Sequence, residues 1–161
     1  MVNYDDKSYR QGEIILGANY RIEKEIKDTL LSLNITHGER KERAPESPDP
    51  HKVIVDAFKQ RGWVEYSVSK LLEEEKIDLF KDRVAIEVEF SRREFLYRDY
   101  LRFAWAYNED RIDVGVIITL SQGAKKHYLY DSVRPDIDYA AKTLDSLKSV
   151  VTVPIWIIGV H

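Results

Sequence analysis

Along residues 20–33, YRIEKEIKDTLLSL, the apolar side chains Ile22, Ile26, Leu30 and Leu33 recur at steps of four, four and three, with charges between them. That is the amphipathic helical period, and it predicts a helix with one face on a core. Residues 37–50, HGERKERAPESPDP, place Pro45, Pro48 and Pro50 among charges with no apolar face, which predicts a mobile surface loop. Helical spacing returns in HKVIVDAFKQRGW through Val53, Ile54, Ala57 and Phe58, and Gly62 supplies a C-terminal stop. From Trp63 the period changes to two: VEYSV, KIDLF and RVAIEVEF alternate apolar with polar residues and predict three half-buried strands. EFLYRDYLRFAWAY then restores the helical period through Phe95, Tyr100, Phe103, Ala104 and Tyr107, an aromatic stripe that reads as core, with Arg98 and Arg102 on a polar stripe. IDVGVIITL is a nearly continuous β-branched run and predicts a strand covered on both faces. PDIDYAAKTLDSL places Pro135 just inside a helix start, and PIWIIGV closes the chain as a strand whose first residue, Pro154, need not donate to a ladder.

The resulting order is helix, helix, three strands, helix, strand, helix, strand. It predicts an α/β fold in which a mixed β-sheet is flanked by helices. A length of 161 residues fits one domain, 1–161, and no internal repeat is visible.

Composition narrows the chemistry. With 43% hydrophobic and 33% charged residues the chain can bury a core and does not have a disordered composition. The absence of cysteine excludes a disulfide scaffold, cysteine-ligated zinc or iron–sulfur centres and a cysteine nucleophile, in keeping with a reducing compartment. The start, MVNYDDKSYRQG, lacks the basic-then-apolar order of a secretory signal. The longest apolar stretch, Val150 to Val160, is interrupted by Thr152 and Pro154 and falls short of the roughly 20 residues that span a bilayer. A cytoplasmic protein away from membranes is expected. A formal net charge of −3 means that any nucleic-acid surface must be local. His37, His51, His127 and His161 show no metal-ligand spacing, and the Gly-x-Ser-x-Gly, Gly-x-x-x-x-Gly-Lys and Gly-x-Gly-x-x-Gly signals are missing.

The segment KIDLFKDRVAIEVEF carries the candidate chemistry. Read as a hairpin turning at Lys81-Asp82, it pairs Phe80 with Arg83 and Asp78 with Ala85. Ile77 and Leu79 then share the apolar face of Val84, Ile86, Val88 and Phe90, while Asp78, Ala85, Glu87 and Glu89 share the other. On this reading a turn altered by one residue would carry Asp78 to the opposite face. Glu87 and Glu89 stand roughly 7 Å apart along the strand, and Asp78 is a diagonal neighbour of Glu87 at about 7–8 Å. Like charges at that distance repel by on the order of 2 kcal/mol at an effective dielectric near 20. A divalent cation such as Mg²⁺, with Mn²⁺ as a substitute, reverses the sign and can activate water against phosphorus. The same alternation also fits acids that merely solvate an exposed sheet face.

Around these acids, Arg92, Arg93, Arg98 and Arg102, set against Glu94 and Asp99, form either a phosphate-gripping patch or an ordinary charged helix face with an Arg98–Glu94 pair. A second cluster, Gln122, Lys125, Lys126, His127 and Arg134, either follows a DNA groove or forms a solvated basic turn. Glu65 is either an additional ligand or a surface acid.

The run Ile77-Asp78, eight intervening residues, then Glu87-Val88-Glu89 resembles the catalytic motif of the PD-(D/E)XK nuclease superfamily. More narrowly, Gly62-Trp63, IDLFKDRVAIEVEF, FLYRDYLRFAWAY and IDVGVIITL resemble BglII-like type II restriction endonucleases, from about His51 to Gly159. That family usually carries Asp and then Glu-Val-Gln. Glu89 stands here in place of the Gln and resembles the BamHI-like form, in which a second acid replaces the superfamily's usual lysine. The resemblance implies that Asp78 and Glu87 bind the metal and that Glu89 orients or deprotonates the attacking water. It also implies a homodimer on double-stranded DNA. The expected activity is a magnesium-dependent endonuclease of the type II restriction kind. The alternatives are a repair or structure-specific nuclease of the same superfamily and a catalytically silent, dimeric DNA-binding domain.

Overall fold

The structure, a computed structural model, describes residues 3–38, 48–68, 75–128 and 130–161; most of the loop expected at 37–50 lies outside the described residues. The elements are β1 (Tyr4–Tyr9), α1 (Gly12–Gly17), α2 (Tyr20–Leu31), α3 (Pro50–Lys59), β2 (Val64–Ser67), β3 (Lys76–Lys81), β4 (Val84–Val88), α4 (Arg93–Asn108), β5 (Val114–Leu120), α5 (Gln122–Lys125), α6 (Ile137–Ser146) and β6 (Ile155–Val160). The strands form one six-stranded sheet in the order β1-β6-β5-β4-β3-β2. β4, β5 and β6 run parallel, and the outer strands join antiparallel, so the sheet is mixed as the pattern predicted. No helix among the described residues is long and apolar enough to cross a membrane.

Each face of the sheet carries a core. On one, Ile22, Ile26 and Leu30 of α2 and Ile54, Val55 and Phe58 of α3 pack against Val84, Ile86, Val116 and Ile118. On the other, Leu96, Tyr100 and Phe103 of α4 and Ile137, Ala140 and Leu144 of α6 cover Ala85, Ile117 and Ile157. β5 is buried along its whole length, as a strand covered on both faces must be. At Gly115 a Cβ would lie 2.4 Å from the Phe103 ring, so glycine is what lets α4 seat on the sheet.

Several boundaries differ from the sequence expectation for identifiable reasons. β1 and α1 were not anticipated, because five of the six β1 side chains are not buried and give no apolar alternation; β1 is an edge strand held by its ladder to β6. α3 takes Pro50 as its first residue behind the Asp49 cap, and Gly62, with φ 84°, turns the chain after it as expected. Pro135 precedes the Asp136 cap of α6, and Pro154 lies just before β6, where its carbonyl accepts the Gly115 N–H. The aromatic stripe splits. Tyr100 and Phe103 are buried, whereas Phe95, at the edge of that face, and Tyr107, in the last turn, are more than a third exposed.

The hairpin departs most. Its rungs are Lys81–Val84, Phe80–Ala85 and Leu79–Ile86, so the turn is Asp82-Arg83, both at positive φ (47° and 65°), not Lys81-Asp82. Arg83 is held there by Asp110 and Asp113. Sliding a two-residue turn by one position moves every rung by two residues, so Asp78 keeps its face; only a loop of different length would flip it. Ile77, however, joins the α4 side while Leu79 stays on the α2 side. Between the rungs Val64–Phe80 and Tyr66–Ile77, β2 advances two residues and β3 three. β3 therefore carries an extra residue at Asp78-Leu79, a bulge that re-aims the aspartate.

Candidate active site

Where the bulge lies, β3 and β4 stop pairing through their backbones. One position beyond the Leu79–Ile86 rung, the Asp78 N–H donates to Glu87 Oε2 at 3.3 Å, and the Val88 N–H donates to Asp78 Oδ2 at 3.0 Å. The two carboxylates thus replace ladder acceptors and are drawn together. They lie in a cleft of about 490 Å³ whose lining includes His51, Glu89, Phe95, Arg98, Asp99 and Arg134.

The environments of the acids differ. Burial opposes ionisation of Asp78, but hydrogen bonds from His51 and the Val88 amide outweigh it and hold the carboxyl below its ordinary range. Glu87 is buried, and that burial, together with the charges of Asp99 and Asp78, raises its proton affinity well above the usual carboxylate range against the pull of Arg102. Arg102 Nη1 lies 3.2 Å from Glu87 Oε1 and 3.4 Å from Asp99, and Nη2 is 2.6 Å from Glu75. Glu89 faces the start of α4. Its Oε1 accepts the N–H groups of Ser91 and Arg92 and the Ser91 hydroxyl, which fixes it on the turn leading into α4, and Oε2 lies 4.0 Å from Arg98.

Sequence reasoning missed two further members. Asp99, 1% exposed, is pushed up to about 7 by burial against the pull of Arg98 and by the charge of Glu89. A charge on the same helical stripe as Leu96, Tyr100 and Phe103 was the available signal. His51 places Nε2 3.3 Å from Asp78 Oδ2, and that hydrogen bond raises its pKa against burial. Only the tertiary fold brings it there.

The remaining candidates divide. Arg98 and Arg134 line the cleft, Arg98 beside Asp99 rather than Glu94, and Arg134 donating to the Phe90 carbonyl at 2.9 Å. Arg92 is exposed next to Glu94, at the rim of a hollow shared with Arg134. Arg93 stacks over Tyr139 and donates to the Arg134 carbonyl. Lys125 is bound to the buried Asp136 at 2.6 Å, away from the cleft, while Lys126 and His127 are exposed. Glu65 is exposed, holds Lys59 and Lys76, and does not line the cleft.

No group of three or more His, Cys, Asp or Glu side chains in metal-holding geometry occurs among the described residues. The donors fit a hard cation nonetheless. Asp78 and Glu87 both line the cleft with carboxylates, the Asp78 N–H donating to Glu87 Oε2, and the raised proton affinity of Glu87 comes first from burial and then from the charges of Asp99 and Asp78. Magnesium is commonly held by one or two carboxylates, with water and phosphate completing the shell.

The described residues thus form a six-stranded mixed sheet flanked by helices, opened between β3 and β4 around paired carboxylates. The sequence matches the family described as restriction endonuclease BglII/BglIII over residues 4–160. Among solved structures, the crystal structure of restriction endonuclease BglII complexed with a DNA 16-mer is similar, with a TM-score of 0.79 and 23% sequence identity, covering 98% of this chain and 75% of that one. A comparison with curated proteins finds no match. The chain belongs to the BglII/BglIII restriction endonuclease family and, with it, is a type II restriction endonuclease acting on DNA.

Proposed function

We propose that this endonuclease hydrolyses phosphodiester bonds of double-stranded DNA as a homodimer in the cytoplasm, with residues 1–161 acting as one nuclease domain and Asp78 and Glu87 holding Mg²⁺, or Mn²⁺ in its place. The observation that carries the reading is the exchange of hydrogen bonds between Asp78, Glu87 and Val88 at the cleft, which brings two carboxylates together where the ladder opens. A divalent cation there supplies Lewis acidity at the phosphoryl group and eases ionisation of water.

The protein's own groups do the rest. Glu89, its Oε1 fixed on the α4 turn, offers Oε2 to orient the attacking water and accept its proton. A Gln at this position would keep the same anchor through its carbonyl oxygen, so the Glu changes only the outward atom. Arg98 and Arg134 grip phosphate oxygens, with Arg92, Lys126 and His127 as outer contacts, while Arg93, Lys125 and Glu65 serve the fold. In the reaction the water oxygen bonds to phosphorus, its proton passing to Glu89, and one P–O bond to deoxyribose breaks, leaving a phosphate on one fragment and, once the departing oxygen takes a proton from solvent water, a hydroxyl on the other. Two copies related by a dyad cut both strands.

The test is cleavage of plasmid DNA with Mg²⁺ against EDTA, alongside branched and single-stranded DNA. Asp78→Asn and Glu87→Gln are each expected to slow cutting about a thousandfold, the loss of several kcal/mol of transition-state charge stabilisation, while each variant still unfolds in one cooperative transition. Undiminished cutting by either variant removes that residue from the mechanism. DNA binding without any cutting assigns a silent binding domain, and a preference for branched DNA assigns a structure-specific nuclease.

A further inference from the structure

We propose that His51 is a positioning residue of the cation site: it fixes the Asp78 carboxylate from outside the coordination shell, so that Oδ1 alone is presented to the metal. The inference rests on the assignment of Asp78 and Glu87 to the cation. Asp78 Oδ2 receives two hydrogen bonds, from the Val88 N–H at 3.0 Å and from His51 Nε2 at 3.3 Å. An ionised carboxylate only accepts, so Nε2 carries the proton in this contact. Two donors on one oxygen leave the other as the oxygen offered to a ligand, and they oppose rotation of the carboxylate about its soft terminal torsion.

The ring is delivered by a rigid support. His51 is the second residue of α3; its N–H is capped by Asp49 at 2.9 Å, and Pro50 fixes the backbone before it. Ile54, Val55 and Phe58, three, four and seven residues on, lie on the same face and anchor the helix in the core. The open end of that apolar stripe is therefore where a side chain is held over the cleft. Because β3 bulges at Asp78-Leu79, the β2–β3 ladder does not fix the aspartate, and the contact from α3 supplies the missing constraint. Hydrogen bonds to metal-bound carboxylates orient them, and their loss typically costs 10–100-fold in metal affinity.

The experiment measures Mn²⁺ binding to the full chain without DNA, by calorimetry and by the electron paramagnetic resonance of free Mn²⁺, at one mildly alkaline pH. Wild type, Asp78→Asn, His51→Ala and His51→Gln are compared, with thermal unfolding followed for each. His51→Ala is expected to weaken binding roughly 10–100-fold, and His51→Gln, whose side-chain amide also donates, to return it to within about threefold of wild type. The Mg²⁺ concentration for half-maximal cleavage should rise in His51→Ala by the same factor as the Mn²⁺ dissociation constant. Unchanged Mn²⁺ affinity in a folded His51→Ala protein overturns the positioning role. So does a folded His51→Gln protein as weak as the alanine variant, which would mark the imidazole itself as a ligand. Wild type that binds no Mn²⁺, or binds it no better than Asp78→Asn, overturns the cation assignment and this inference with it.

Discussion

At Asp99 the core face of α4 carries a carboxylate that is 1% exposed, among side chains that are otherwise apolar. Burial pushes its pKa from 3.8 up to about 7 despite Arg98 and Arg102. The folded protein therefore binds a proton more tightly than the unfolded chain, and the stability this group contributes is lost as pH rises from 3.8 to about 7. Glu87 is shifted the same way and adds to the slope. Asp99→Asn is expected to flatten the stability profile over that window. Relative to wild type, the variant's Tm should gain several degrees between the two ends, at roughly 2–4 °C per kcal/mol for a chain of this size. Superimposable profiles would show that the arginines neutralise the charge completely. At this scale the sequence singled out Asp78, Glu87 and Glu89, which all line one cleft, but the period of two does not by itself place them, since Asp78 sits in the β3 bulge and Glu89 lies past the end of β4. It disclosed Arg98 only as one of several arginines, and it did not disclose the His51 contact, since no local pattern links a helix N-terminus to a strand 27 residues away.

Among elements, the seating of α4 on β5 decides where Asp99 and Arg102 stand relative to Glu87. Gly115 faces Ala85 of β4 across a parallel rung, and a methyl group added there would meet three atoms of the Phe103 ring at 2.4–2.9 Å. A buried ring between sheet and helix has no free path away, so Gly115→Ala should destabilise by about 2–3 kcal/mol. Chemical denaturation should also show that adding Phe103→Leu recovers part of the loss, because the two residues share one contact. If the double variant were only the sum of the single changes, the clash would not be the cause. The legibility of the fold follows the same logic. α2, β5 and β6 were readable because they bury continuous or periodic apolar faces. β1 was not, because it is an edge strand whose partner, β6, lies about 150 residues away and whose side chains mostly meet solvent. The β3 bulge and the Asp82-Arg83 turn were hidden as well: neither carries glycine, and Arg83 tolerates positive φ with its side chain tied to Asp110 and Asp113, a long-range compensation.

For the molecule as a whole, a net charge of −3 and a cleft whose lining includes the ionised Asp78 beside Glu89 against few arginines place negative charge at the site proposed to meet the scissile phosphate. On the proposed assignment, the acids without a cation oppose the DNA that Arg98 and Arg134 attract. Removing one unit charge about 7 Å from a phosphate is worth on the order of 1–2 kcal/mol at effective dielectrics of 20–40, roughly a tenfold change in affinity. Asp78→Asn should therefore bind duplex DNA about tenfold more tightly than wild type in EDTA, as fluorescence anisotropy of a labelled duplex at low salt would measure. Adding Ca²⁺ should tighten wild type far more than the variant, which on the proposed assignment lacks a ligand, and raising the salt should shrink the difference between the two in EDTA by screening. Equal affinities in EDTA would mean that the bound duplex does not approach Asp78, and the cleft would then not be where the scissile phosphate lies.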